Sequence, residues 1–147
     1  MSFDIARLSE NVDLSGGEWI DGVENIPGLR LKVRSINYKP YQVASTGFYR
    51  KNRKLSESDE GLLATQPGSG KVIAEKLLVD WDMSKAVGPY ALQSGGRPVE
   101  YSSEMATAIL SADDPHGIGG EYRNAVLYAA GKVAEKLLAK SEDAAGN

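Results

Sequence analysis

The sequence predicts an α+β fold: an N-terminal antiparallel β-hairpin followed by about four helices, with a small β-ribbon between the second and third. Three observations carry this reading. Leu29, Leu31 and Val33 alternate with Arg30, Lys32 and Arg34, a period of two that gives a strand one apolar and one basic face. Later segments instead repeat their apolar residues at steps of three and four, the spacing of helices. Between them lies a turn-rich stretch with Gly88-Pro89 and Ser94-Gly95-Gly96-Arg97-Pro98.

The elements follow in order. Residues 1–16 carry Ile5, Leu8 and Val12 and read as an arm or a short helix, ended by Ser15-Gly16-Gly17. Glu18-Trp19-Ile20-Asp21 is a short aromatic strand. Asn25-Ile26-Pro27-Gly28 supplies a turn into the strand at Leu29–Val33. Pro40 suits a first helical turn, and Tyr41, Ala44, Phe48 and Leu55 space a helix over 40–56. Gly47 weakens that helix by about 1 kcal/mol relative to Ala. Arg50, Lys51, Arg53 and Lys54 complement its C-terminal dipole. Residues 57–70, ending Gln66-Pro67-Gly68-Ser69-Gly70, read as a linker, with Ser69 capping a helix from Val72 to Asp80. Tyr90-Ala91-Leu92 against Val99-Glu100-Tyr101 makes the ribbon. Ser102 or Ser103 opens a helix that Asp113-Asp114-Pro115 stops. Gly117, Gly119 and Gly120 read as a flexible joint before a last helix over 121–140. Residues 141–147 read as a frayed polar tail, leaving one domain over 17–140.

Composition excludes whole classes of function. The chain has 147 residues and no cysteine, which removes disulfide frameworks, thiolate metal sites and cysteine nucleophiles. A single histidine removes multi-histidine metal centres. The net charge of -3 argues against general nucleic-acid binding, which needs a basic surface. No apolar run approaches the roughly 18–20 residues of a membrane span. The start Met1-Ser-Phe-Asp-Ile-Ala-Arg7 has no basic segment followed by an apolar one, so no signal peptide is expected. These features fit a soluble intracellular protein.

The short motifs that carry chemistry elsewhere are incomplete here. Gly68-Ser69-Gly70-Lys71 is the nearest thing to a phosphate loop, but Thr65 stands where that pattern needs Gly, and Val72 where it needs a hydroxyl for Mg²⁺. His116, in Asp113-Asp114-Pro115-His116-Gly117, sits in a helix stop rather than a readable catalytic constellation. Asp80-Trp81-Asp82 and Asp113-Asp114 lack the alternate-position oxygen ligands of a Ca²⁺ loop. The basic cluster Arg50–Lys54 reads as a solvated helix end paired locally with the acidic run Ser56–Glu60. No enzyme activity, metal or cofactor is expected.

The last helix is more informative. Tyr122, Val126, Ala129, Val133 and Leu137 form one apolar stripe, and Leu127, Ala130, Ala134 and Leu138 form a second beside it. Either both stripes are embedded in the core, or the first packs on the domain and the second meets a partner.

The order of features has a counterpart. Glu18-Trp19-Ile20 precedes a Pro-Gly turn, the strand Leu29-Arg-Leu-Lys-Val-Arg-Ser35 and a helix opening Lys39-Pro40-Tyr41. Later come Leu77-Leu78-Val79-Asp80-Trp81, then Gly96-Arg97-Pro98-Val99-Glu100-Tyr101-Ser102, then Ala108-Ile109-Leu110. Over residues 17–138 this resembles the tail assembly chaperones of long-tailed bacteriophages and prophages, with Asp82–Gln93 looking like an insertion. The resemblance implies a non-enzymatic helper in the host cell cytoplasm. Such a helper binds and solubilises the helical tape measure protein until tail tube protein assembles around it, and is absent from the mature virion. Leu127, Ala130, Ala134 and Leu138 are the expected partner-binding residues, through helix-in-groove contact. Two alternatives remain open at this stage: a neck or tail virion protein that self-associates into a homo-oligomer, and a protein-binding module unrelated to phage.

Overall fold

The computed structural model describes residues 15–146, with side-chain surroundings as far as Lys140. The arm expected at 1–16 lies almost wholly outside the described residues. Among the described residues the architecture is α+β, with a three-stranded antiparallel sheet, four α-helices and a two-stranded ribbon.

Strand β1 (Glu18–Ile20) pairs antiparallel with β2 (Arg30–Val33), placing Ile20 opposite Leu31. Leu29 N donates to Ile26 O at 3.2 Å, which closes the Pro27–Gly28 turn. The period-two reading holds: Leu31 and Val33 are fully buried, while Arg30 is exposed and Lys32 partly so. The hairpin is not the whole sheet, however. A third strand, β3 (Leu78–Asp82), pairs with the free edge of β2, setting Trp81 opposite Leu31. Leu77–Asp80 was expected to end a helix. Instead the helix stops at Lys76, and Arg34 ties the junction by donating from its backbone N to Leu77 O at 2.9 Å and from Nη1 to Lys76 O at 3.0 Å. A bulge between Lys32 and Val33 accommodates the extra residue, Val79. Edge pairing on β2 outweighs the local helical spacing, because a β-branched and an aromatic residue there serve a pleated, half-buried surface well.

Helix α1 (Lys39–Lys51) begins with Pro40 in its first turn, as expected. Helix α2 (Asp59–Lys76) corrects the linker reading. It starts well before Val72 and runs through Pro67, so Gln66–Gly70 is helix interior and Ser69 caps nothing. The cap is Ser58, whose Oγ accepts from Gly61 N at 3.0 Å, and Asp59 and Glu60 follow in the first turn, where carboxylates favour the dipole. The glycines that resemble a loop are places of close approach. A Cβ at Gly68 would run into the Phe48 ring, and one at Gly70 into the Leu110 carbonyl. Pro67 costs the helix a backbone donor, but packing on both sides holds α2 together across it.

The ribbon is β4 (Gln93–Ser94) against β5 (Arg97–Pro98). Gly95 and Gly96 both have positive φ, 59° and 77°, as a two-residue hairpin turn requires. Its ladder lies nearer the turn than Tyr90–Leu92 against Val99–Tyr101, but in the same register, and Val99 N still donates to Leu92 O at 3.0 Å.

Helix α3 (Ser103–Leu110) is capped by Ser102, whose Oγ accepts from Met105 N at 3.1 Å. Helix α4 (Ile118–Gly146) starts earlier than expected and includes the backbone of most of the segment read as a tail. The Gly117–Gly120 joint is a correction too. Asp114 accepts from Ile118 N at 3.1 Å and Gly119 N at 2.7 Å, so Asp114 caps the helix and Gly119–Gly120 are buried in its first turn. The first stripe of α4 meets the inner sheet face: Tyr122, Val126, Ala129 and Val133 are buried against a core that includes Leu31, Val33, Trp81 and Leu110.

Candidate functional site

Among the described residues, the short motifs singled out in the sequence occupy the following positions. Gly68–Lys71 lies inside α2, where its backbone donors serve the helix and cannot cradle a phosphate. Asp80 accepts from Trp81 N at 2.8 Å, and Asp82 accepts from Ser84 Oγ at 2.6 Å and Ser84 N at 2.9 Å, which holds its carboxyl below the usual range. Asp114 is occupied by its cap, and His116 is exposed at the α3–α4 turn. No group of three or more His, Asp or Glu side chains fit to hold a metal occurs among the described residues. No helix among them is long and apolar enough to cross a membrane.

The four residues expected to bind a partner do not form one surface. Ala130 is fully buried, and its carbonyl accepts from Ile36 N at 3.1 Å. Leu127 is partly buried against the core and Ala134 is intermediate. Only Leu138 projects, 61% exposed. The Ile36 segment covers Ala130 and the core holds Leu127, whereas Leu138 is left in solvent. Leu138→Asp is therefore expected to leave stability within about 0.5 kcal/mol of the parent in urea denaturation. A larger loss would mean that the end of the helix packs on something.

An exposed apolar surface does exist, at the hairpin made by α1 and the start of α2. Helix α1 buries no residue completely. Tyr41, Ala44 and Phe48 share its inner side, and Phe48 lies on Gly68 of α2. Burial raises the pKa of Tyr41. Tyr49 stands edge-on to Phe48 with ring centroids 5.2 Å apart, and its hydroxyl lies 3.2 Å from Ser69 Oγ. Asn52 closes α1 by donating to Phe48 O from its side chain at 2.8 Å and its backbone at 3.1 Å. A single 3-10 turn, Leu55–Glu57, then leads to the Ser58 cap.

The apolar side chains at this end have no core to enter. Tyr49, Leu55, Leu62 and Leu63 are 41%, 48%, 41% and 47% exposed. Leu62 lies two helical turns before Ser69, the partner of Tyr49, so Leu62 and Tyr49 flank the same side of the hairpin. Leu62 and Leu63 also bracket Gln66, which accepts from Arg123 Nη2 at 3.3 Å. At this level of α2 the buried positions are Gly61 and Thr65, and Leu62 and Leu63 stand in solvent.

Arg50, Lys51, Arg53 and Lys54, all exposed, surround a depression of about 360 Å³ that Leu55 also lines. The expected pairing with the acidic run is not made. The ion pairs among the described residues are Lys132–Glu135 at 3.2 Å and Lys140–Glu18 at 3.4 Å. Asp59 and Glu60 face the α2 N-terminus instead, where the helix dipole holds them.

Two structural features were invisible in the residue pattern. One is Arg123, 5% exposed in the apolar sector of α4, which donates from Nη1 to Leu110 O and Ala112 O, each at 2.9 Å. Desolvation lowers its pKa, opposed by Asp114 and Asp113. The available signal was one cation amid Tyr122, Ala125 and Val126. The other is an open groove of about 730 Å³ beneath the ribbon, walled by Trp19, Trp81 and Tyr101 with Asp80, Arg97 and Glu100. Arg30 stacks over Trp19 at 5.1 Å, so the sheet supplies its own cation to this face. Burial raises the pKa of Tyr101, and Asp80 adds to the shift.

Compared with known protein families, curated proteins and solved structures, the chain matches none of them.

Proposed function

We propose that this chain is a non-enzymatic tail assembly chaperone that binds a tape measure protein and keeps it soluble in the host cytoplasm before tail tube protein encloses it. The observation that supports the reading is the hairpin end. Tyr49, Leu55, Leu62 and Leu63 stand in solvent beside an otherwise well-filled core. Clustered exposed apolar side chains mark a binding surface. A tape measure helix shows apolar stripes until the tube covers them, and a helical hairpin with leucines along one flank offers such a stripe temporary cover. The partner surface is thus moved from the second stripe of α4 to the hairpin. The net charge of -3 keeps the helper itself soluble.

Co-expression tests this. The chain is expected to raise the soluble yield of the tape measure protein encoded beside it, and Leu62→Asp with Leu63→Asp is expected to abolish the gain while the thermal unfolding midpoint stays close to the parent. No gain with the parent chain contradicts the function. A full gain with the double variant contradicts the surface.

A further inference from the structure

We infer that the hairpin selects its partner by charge, and that its occupant is an amphipathic helix whose apolar stripe is flanked by carboxylates. This rests on the reading above only in taking the hairpin as a partner surface. On a chain of net charge -3, Arg50, Lys51, Arg53 and Lys54 crowd one connection, and none of them enters an ion pair among the described residues. Leu55 lines the same depression and its carbonyl lies against Gly61, the residue before Leu62 and Leu63, so the cations stand within a turn of the exposed leucines. Asp59 and Glu60 lie in the first turn of α2, where the helix dipole favours them, and neither they nor Glu57 of the 3-10 turn forms an ion pair with the four cations among the described residues.

An apolar strip with a cationic rim is complementary to an apolar stripe with an anionic border. Opposite charges speed encounter and fix the orientation of the docked helix, and like charges at the rim exclude helices with basic borders. A nucleic acid would also be drawn to four cations. The one exposed ring here, Tyr49, is already engaged by Phe48 and Ser69, and the aliphatic Leu55, Leu62 and Leu63 suit contact with a helix rather than stacking of bases.

The test uses the full chain and two synthetic helices of about 20 residues, long enough to be helical, with the same leucine stripe and either Glu or Lys at the flanking positions. Fluorescence anisotropy is expected to show the Glu-flanked helix binding at least about tenfold more tightly than the Lys-flanked one. The difference should shrink as salt rises from about 0.1 M to about 1 M, where the Debye length falls from about 10 Å to about 3 Å. Arg53→Glu with Lys54→Glu, both exposed, is expected to remove the preference without changing the unfolding midpoint. Leu55→Ser with Leu62→Asp is expected to weaken both helices. Equal binding of the two helices, binding of neither, or displacement of the Glu-flanked helix by single-stranded RNA overturns the inference. If charge proves irrelevant while Leu62→Asp with Leu63→Asp still abolishes tape measure solubilisation, the inference falls and the proposed function stands. If the Glu-flanked helix binds at the hairpin but no tape measure protein is solubilised, the function falls and the charge selection stands.

Discussion

Trp81→Ala is expected to lower the unfolding free energy by about 3–5 kcal/mol, read from urea or guanidinium denaturation. Trp81 stands opposite Leu31 in the sheet and is 4% exposed. Its Nε1 donates to Val99 O at 2.9 Å, and its ring meets Tyr101 edge-on at 5.2 Å. One side chain thus ties β3 to the ribbon, and truncating it opens a cavity and orphans the Val99 carbonyl together. Trp81→Phe retains much of the packing and loses the hydrogen bond, so it is expected to cost less. A Trp81→Ala variant of parental stability that had lost only partner binding would make Trp81 an interaction anchor instead.

Arg123→Met is expected to cost about 2–4 kcal/mol by the same measurement. The Arg123 guanidinium holds Leu110 O, the last carbonyl of α3, and Ala112 O two residues beyond it. It also reaches Gln66, so one side chain fastens α2, α3 and α4 together. Met fills most of the volume but supplies no donor, leaving buried acceptors unmet. A change of less than about 0.5 kcal/mol would show that water replaces the guanidinium at those carbonyls.

These two residues also show how far the sequence could be read. Trp81 sits at the end of a segment that reads as a helix, whereas Leu78 and Val79 before it form a strand that only the exposed edge of β2 could call for. The alternation at Leu29–Val33 needed no such context, because a period of two and a period of 3.6 cannot be confused over a strongly amphipathic strand. The same holds for Tyr122, Val126, Ala129 and Val133 on α4 and for the Ser102 cap. Pro67 and its flanking glycines misled in the opposite sense. Turn-forming residues mark loops when nothing approaches them, but Phe48 and the Leu110 carbonyl occupy the space that side chains at Gly68 and Gly70 would fill. Those contacts join residues far apart in the chain and leave no local trace.

The surface proposed for a partner was illegible for a related reason. Leu127, Ala130, Ala134 and Leu138 share one helical sector, and periodicity treats them alike. Burial divides them: Ala130 lies under the Ile36 segment, Leu127 packs on the core, and Leu138 stands in solvent although Glu18 of β1 reaches Lys140 beyond it. The leucines of the hairpin were hidden by the linker reading of residues 57–70. Once that segment is helical, Gly61 and Thr65 take the buried positions of its first turns and Leu62 and Leu63 are left in solvent.

The central claim is that this chain acts on tail assembly and then leaves. It is tested most directly by quantitative mass spectrometry of purified phage particles alongside the lysate that produced them. The expected result is that the chain is abundant in the lysate and absent from the finished particles. Its presence in the particles at a fixed ratio to the tail tube protein would contradict the account and make it a structural component of the virion.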